Sequence, residues 1–330
     1  MDRPAPSLSG TVHVTRPLPE PGTALLEAAG LTVTANSDDR PLDAAELAAA
    51  VADADALVCM LSDRIDGALL DAAPRLRVVA NYAVGFDNVD VAAARARGVE
   101  VTNTPGVLTD ATADLAWALL LATARRLGEG ERLVRSGAWS GWAPRQLVGQ
   151  PVAGRRLGIV GMGAIGRAVA RRAAGFGMEI CYHNRRRVPS DVEAQLGVTY
   201  VGLDELFATA DVVSLHAPLN ADSHHLVDAD ALARMKSTAV LVNTGRGPLV
   251  DEAALVQALD EGRIAGAGLD VYEAEPVVHQ GLLDRGDVVL APHLGSATTT
   301  ARADMVELCT RNVVEVLSGR PAVTPVPPGP

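Results

Sequence analysis

The segment Leu157-Gly-Ile-Val-Gly161-Met-Gly163-Ala-Ile-Gly166-Arg-Ala-Val-Ala constrains the fold more than any other part of the chain. An apolar strand pattern leads into glycines spaced GxGxxG, and an Ala-rich helical pattern leads out. The spacing alone is weak, but between a strand and a helix each glycine has a physical task. Gly161 makes the tight turn, Gly163 lets a pyrophosphate approach the backbone, and Gly166 lets helix and strand pack closely. The helix N-terminus then faces the phosphates.

The same alternation runs through the rest of the chain. Val12–Val14, Leu31–Thr34, Ala56–Met60, Val78–Asn81 and Val99–Val101 read as strands, and Leu25–Ala29, Ala44–Ala52, Gly67–Ala72 and Asp90–Ala96 as helices. A second series of strands is expected at Leu157–Val160, Glu179–His183, Val212–His216, Ala239–Asn243, Gly266–Val271 and Val288–Ala291, with helices between them. Regular strand–helix alternation means parallel sheets with helices on both faces. A chain of 330 residues is long for one core, so the expectation is α/β with two doubly wound domains. The run from Thr109 to Arg126 is apolar nearly all round between Leu115 and Ala122 and reads as a buried, inter-domain helix. A last helix, Ala297–Leu317, is expected to return to the first domain, and the tail Arg320–Pro330, with five prolines, to be loose.

The end of the strand after the glycine loop bears on the ligand. Where NAD sites place Asp or Glu for the ribose 2′-hydroxyl, this chain reads Tyr182-His183-Asn184-Arg185-Arg186-Arg187. A carboxylate would repel a 2′-phosphate, whereas guanidinium groups bind one bidentately, so NADP(H) is favoured with NAD(H) as the alternative. Three further segments carry chemistry: Val242-Asn-Thr-Gly245-Arg246-Gly247, Gly268-Leu-Asp270-Val-Tyr-Glu273-Ala-Glu275-Pro276 and Ala291-Pro-His293-Leu-Gly295-Ser296-Ala297. The planar fork of Arg246 suits a carboxylate beside a carbonyl, the 2-keto acid shape. Hydride delivery to a carbonyl leaves an oxyanion that needs a proton, which a His supplies near neutral pH. A nearby carboxylate favours the protonated ring and fixes its orientation.

Composition narrows the partners. The net charge of −11 repels phosphate backbones and disfavours nucleic acid, and any site for a small acid must carry its own Arg or Lys. Cys59, Cys181 and Cys309 form no CxxC pair and read as reduced, buried thiols, which fits the cytoplasm. Met1–Gly10 has no apolar run of the signal-peptide kind, no stretch is long enough to span a bilayer, and no metal-binding residues are read.

The motifs resemble the D-isomer-specific 2-hydroxyacid dehydrogenase family over nearly the whole length, and within it glyoxylate/hydroxypyruvate reductases. The glycine loop, Asn243-Thr-Gly-Arg-Gly247 and Pro292-His-Leu-Gly-Ser-Ala297 carry the resemblance. So do Met60-Leu-Ser-Asp-Arg-Ile-Asp66, Ala80-Asn-Tyr-Ala-Val-Gly-Phe-Asp-Asn88 and Thr102-Asn-Thr-Pro-Gly-Val-Leu-Thr-Asp-Ala-Thr-Ala-Asp114. It implies a discontinuous substrate-binding domain of residues 1–107 and 292–330, a dinucleotide-binding Rossmann domain of residues 108–291, an active site in the cleft between them, and a homodimer. No regulatory domain like that of some phosphoglycerate dehydrogenases is expected.

It also implies roles. Arg246 resembles the substrate-binding Arg, His293 the acid/base, and Glu275, rather than Glu273, its carboxylate partner. Asp270 matches the position that bonds the nicotinamide carboxamide, Thr109 one close to the nicotinamide, and Val84 and Gly85 the amides that hold the substrate carboxylate, with Leu61 nearby. Trp142, in preference to Trp139, matches a tryptophan that reaches the partner subunit's site. Ser296 joins the substrate set. The cofactor set is Thr109, Gly161, Met162, Gly163, Ala164, Ile165, Gly166, Asn184, Arg185, Arg186, Ala217, Pro218, Thr244, Gly245, Arg246, Asp270, His293 and Gly295. The expected reaction is NAD(P)H-dependent reduction of glyoxylate or hydroxypyruvate to glycolate or D-glycerate. The alternatives are a dehydrogenase for phosphoglycerate, D-lactate or branched 2-keto acids, or a non-enzymatic, nucleotide-sensing co-repressor-like scaffold.

Overall fold

The computed structural model describes residues 8–327 and divides the chain into two compact units, Met1–Leu108 with Ala297–Pro330, and Thr109–Ser296. The sequence reading put the junctions after residues 107 and 291. The second falls five residues later because the amides of Leu294 and Gly295 are bound by Asp270, which ties residues 292–296 to the second unit.

The first unit is a five-stranded parallel sheet of β1 (Thr11–Val14), β2 (Thr32–Ala35), β3 (Ala56–Cys59), β4 (Val78–Asn81) and β5 (Glu100–Thr102), in the order β2-β1-β3-β4-β5. Strands β3 and β4 are buried throughout and apolar apart from Asn81 at the end of β4, as a sheet covered on both faces requires. The helices are α1 (Ala24–Ala28), α2 (Ala44–Val51), α3 (Gly67–Ala72) and α4 (Val91–Ala96). Asp43, Asp66 and Asp90 cap the last three, each accepting a hydrogen bond from an orphan amide of the first turn.

The second unit opens with α5 (Thr109–Ala124) and α6 (Leu127–Arg135). Its seven strands are β6 (Arg156–Val160), β7 (Glu179–His183), β8 (Val198–Tyr200), β9 (Val212–Leu215), β10 (Val240–Asn243), β11 (Gly266–Leu269) and β12 (Val288–Leu290), all parallel, in the order β12-β11-β10-β9-β6-β7-β8. Strand order reverses between β6 and β9, which places the loops after those strands at the switch point where doubly wound sheets bind ligands. The connecting helices are α7 (Ala164–Ala173), α8 (Ser190–Leu196), α9 (Leu203–Thr209), α10 (Ala229–Arg234), α11 (Glu252–Asp260) and α12 (Gln280–Leu283). Helix α13 (Thr299–Leu317) belongs to the first unit and packs on β3, β4 and β5.

Four expectations need correction. The helix predicted from Thr109 to Arg126 ends at Ala124, with Arg126 in left-handed backbone (φ 52°). It belongs to the second unit, where it packs on α7, β10 and β11; its nearly uniform apolarity reflects contacts on several sides there. Strand β8 and helix α6 were missed. Three residues at a sheet edge leave little periodicity, and α6 has no buried residue to mark an apolar face. Finally, the described part of the tail is not loose. Val326 is 1% exposed within the first unit's core and donates its amide to Val101, while Thr324 is held by Asn312 through 2.8 and 3.0 Å bonds. Prolines here suit an extended segment laid beside β5, not a helix. The readings of Met1–Ser7 and Pro328–Pro330 lie outside the described residues.

All three cysteines are free and buried, and no helix among the described residues is long and apolar enough to cross a membrane.

Candidate active site

The second unit's candidate site residues, Thr109 and Trp142 apart, follow the carboxyl ends of its strands. After β6, Gly161 has φ 98° and donates its amide to His183, and a Cβ there would stand 2.5 Å from the backbone of His216 and Ala217. A Cβ on Gly166 would fall 2.1 Å from the Gly161 carbonyl oxygen, so loop and helix touch through bare backbone. Gly163 differs: nothing lies within 4 Å of its Cβ position. Helix α7 starts at Ala164 with no side-chain cap, so its first amides and the open space at Gly163 fit a pyrophosphate. Met162, Ala164 and Ile165 lie in the same stretch, and the Met162 amide donates to Asn184 Oδ1 at 2.7 Å, pinning the loop to the end of β7.

The three arginines after β7 divide by role. Arg187 is engaged by Glu193 at 2.7 and 2.8 Å and lies over the Tyr200 ring. Arg185 and Arg186 are exposed, and among the described residues their one ion pair is the 3.9 Å contact between Arg185 and exposed Asp222. After β9 come His216, Ala217 and Pro218. The His216 ring meets Ser214 Oγ at 2.8 Å and Thr244 Oγ1 at 3.5 Å, and burial pulls its pKa down to about 4, so the ring is neutral near pH 7.

After β10, the fully buried Asn243 folds back on its own turn. Its Oδ1 accepts from the Gly245 amide at 3.0 Å and its Nδ2 donates to the Arg246 carbonyl at 2.8 Å. Gly247 lies against the backbone of Tyr272 and Glu273, where a Cβ would come within 1.8 Å of Tyr272. The turn bearing Arg246 is therefore fixed from within and from the neighbouring segment.

After β11, Asp270 is 1% exposed, and three successive amides converge on it. Leu294 and Gly295 donate to its carboxylate at 2.6 and 2.8 Å, and His293 to its carbonyl at 2.9 Å. Burial raises the Asp270 pKa above the ordinary value, against the pull of those amides and of His293. His293 itself has left-handed backbone (φ 55°), a costly geometry for a non-glycine residue that this clamp over-determines. Its Nδ1 meets Glu275 Oε2 at 2.9 Å, while Glu275 Oε1 accepts the Tyr272 amide at 3.0 Å. Burial opposes ionisation of Glu275, but the hydrogen bond and charge of His293, the Tyr272 amide and the Arg246 charge outweigh it, and its pKa lies below 4.5. Glu273, two residues away, pairs instead with His225 at 2.6 Å. Thr109 opens α5, and Ser296 follows the clamped turn.

In the first unit, Leu61 follows β3, and Val84 and Gly85 follow β4. Asp63 accepts the Met60 amide at 2.7 Å, Asn103 donates to the Val84 carbonyl at 2.7 Å, and Asn81 to the Gly85 carbonyl at 2.8 Å. Asn88 bonds the carbonyls of Met60 and Asp63, joining the two loops. Trp139 and Trp142 are 52% and 83% exposed.

Sequence reasoning missed Asn243, His216, Asn81 and Asn88 as parts of this machinery. An amide side chain at the end of an apolar strand, just before a glycine turn, was the available signal at Asn243.

The chain matches the family model described as "D-isomer specific 2-hydroxyacid dehydrogenase, NAD binding domain" over residues 117–295. It is 51% identical over 312 residues to a protein named glyoxylate reductase from Thermococcus onnurineus, covering 93% of each chain. A solved structure from Thermus thermophilus superposes with a TM-score of 0.89 at 46% identity, covering 96% of this chain and 100% of that one. An NADPH-dependent glyoxylate/hydroxypyruvate reductase from Sinorhizobium meliloti, solved with NADP and malonate, gives 0.85 at 39% identity over 96% of both chains. With the fold, the glycine loop and these relatives in agreement, the chain belongs to the D-isomer-specific 2-hydroxyacid dehydrogenases, a family of NAD(P)-dependent oxidoreductases.

Proposed function

We propose that this enzyme is a glyoxylate/hydroxypyruvate reductase that uses NADPH in preference to NADH and forms glycolate and D-glycerate. The observation that carries the reading is the His293–Glu275 pair on a turn held by Asp270. A bound nicotinamide supplies the hydride. His293 gives the proton to the developing alkoxide from Nε2, because Nδ1 faces Glu275. Glu275, ionised at neutral pH, orients the ring and stabilises its charged form. Arg246 takes the substrate carboxylate with its planar fork, Ser296 belongs to the same unit's substrate set, and Leu61 and the amides at Val84 and Gly85 are the first unit's candidates for substrate binding. The glycine loop and Asn184, Thr109, Ala217, Pro218, Thr244, Gly245, Asp270 and Gly295 make the cofactor set.

Exposed Arg185 and Arg186, with no carboxylate at the end of β7, support NADPH, as does the NADP bound by the Sinorhizobium relative. Three free, buried cysteines suit a reducing cytoplasm. The exposed apolar side chains Leu127, Val134, Trp139, Trp142 and Val148 suit a homodimer contact.

The test is steady-state oxidation of NADPH and NADH against glyoxylate, hydroxypyruvate, pyruvate and longer 2-keto acids, with the wild type and an Arg185→Ala/Arg186→Ala variant. Fast turnover of the two small acids is expected, with the variant's Michaelis constant rising far more for NADPH than for NADH. Activity confined to bulkier acids overturns the substrate assignment, and equal effects on both cofactors overturn the role of the arginines.

A further inference from the structure

Among the described residues, one group of His, Cys, Asp and Glu side chains converges closely enough to share an ion: His224, His225 and Glu273, whose donor atoms all lie within 4.8 Å of one another. None belongs to the reduction machinery above. His225 Nε2 is 2.6 Å from Glu273 Oε1, and the rings of His224 and His225 lie 4.0 Å apart. We propose that His224, His225 and Glu273 form a binding site for a divalent transition metal, with Zn2+ as its best-fitting ion.

The donor set argues for that class. Two imidazoles and one carboxylate are a zinc combination that leaves a fourth position for water, whereas Mg2+ and Ca2+ take all-oxygen sets. The far side of His225 argues for it independently. Its Nδ1 faces Asp251 Oδ2 at 3.9 Å, beyond hydrogen-bond length, so a carboxylate stands on the side toward which a metal-bound ring turns its Nδ1–H and would close on it as Nε2 takes the ion. Asp251 is itself held in place, since its other oxygen caps α11 by accepting the Ala254 amide at 2.9 Å. His225 has left-handed backbone (φ 51°) and donates its amide to the Pro248 carbonyl at 2.8 Å, so its ring is aimed by a strained and anchored turn. Glu273 is anchored too, through Glu252, whose carboxylate accepts the Glu273 amide at 2.8 Å.

Little movement is needed. Ligand atoms around tetrahedral zinc lie about 3.3 Å apart, so exposed His224 must swing by at most ~1.5 Å, and the 2.6 Å hydrogen bond must open by less than that. As the metal enters, any hydrogen on Nε2 must leave that nitrogen, so that the ring keeps its hydrogen on Nδ1. Binding would tie the turn at 224–225 to the segment 272–275 across Gly247 and Pro248, which contact both. The ion would thus clamp the two backbones that present Arg246 and Glu275, a structural role separate from hydride transfer.

The test is calorimetric titration of the full-length protein with ZnCl2, with Co2+ as a spectroscopic substitute and thermal melting as a third readout. One saturable site, visible Co2+ absorption bands and a higher Tm with Zn2+ are expected. His224→Ala removes an exposed side chain and should keep the fold and the basal reductase activity. Because loss of an outer-shell partner alone weakens metal sites by roughly 10–100-fold, His224→Ala should weaken zinc by at least about tenfold. Glu273→Gln should do the same. His293→Ala removes the histidine of the separate His293–Glu275 pair, and should leave zinc affinity unchanged. Absence of saturable binding, unchanged binding in His224→Ala, or loss of binding in His293→Ala would each overturn the proposal, whatever the reductase assay shows.

Discussion

His293 occupies left-handed backbone only because Asp270 holds the three amides that follow one another from position 293. The Pro292-His-Leu-Gly motif is what singles out His293 as the candidate acid; the clamp has no signal in the sequence. The resemblance implies a bond from Asp270 to the nicotinamide, and in the folded chain each of its two oxygens also accepts an amide, 24 and 25 positions away. Choosing Glu275 over Glu273 likewise came from the motif. Only the folded chain shows that Glu275 faces His293 while Glu273 is engaged by His225, 48 positions earlier. With His293→Ala, kcat should fall by about 10²–10⁴, the usual worth of a general acid, while the dissociation constant for NADPH stays near its wild-type value. Single-turnover absorbance and fluorescence titration check this, and near-normal turnover would remove His293 from the mechanism. Glu275 sets a pH dependence. Its pKa in the folded chain lies below the ordinary 4.5, so the pair's contribution to stability is fully present above pH 4.5 and is lost as pH falls through the lower native value. Denaturation midpoints of wild type and Glu275→Gln should differ by a constant amount from pH 7 to about 4.5 and converge below it. A gap that already closes near pH 6 would contradict the depressed pKa.

At the scale of elements, legibility tracked how much apolar surface each element buries. Strands β3, β4, β9 and β10 are buried along their whole length, and their apolar runs were plain in the sequence. The edge strand β8 and the exposed α6 lacked such runs and were missed. The C-terminal tail misled for a different reason. Proline content signals only that a segment is not helical, and cannot tell a free extension from one laid against a sheet. Here Val326 fills the first unit's core, Arg95 donates to its carbonyl at 2.6 Å, and Thr324 satisfies Asn312, which is fully buried in α13. A chain ending at Gly319 loses the burial of Val326, about 1.5–3 kcal/mol, and leaves Asn312 unpartnered at a further cost of ~1–3 kcal/mol. Its chemical denaturation midpoint should drop accordingly, and an unchanged midpoint would mean that the tail adds nothing to the core.

For the whole molecule, what the sequence conveyed best was the repetition of one plan: two parallel sheets, each doubly wound, with the chemistry placed after strand ends. What it conveyed least was surface. Leu127, Val134, Trp139, Trp142 and Val148 are more than half exposed and all fall within residues 127–148; of the other described large apolar side chains only Val277 is exposed to that degree. Large exposed apolar side chains mark an interaction surface where they adjoin, and a second copy of the chain is the proposed cover. Light scattering should then give twice the chain mass of 34.2 kDa. Trp142 separates two roles for that surface. If it reaches the partner's substrate site, Trp142→Ala should keep the dimer mass and raise the Michaelis constant for the 2-keto acid severalfold. If it only packs, the same change should release monomer and leave the Michaelis constant of the remaining dimer as it was. A wild-type protein that is monomeric at micromolar concentration would contradict the proposed homodimer, and the exposed segment would then need a different partner.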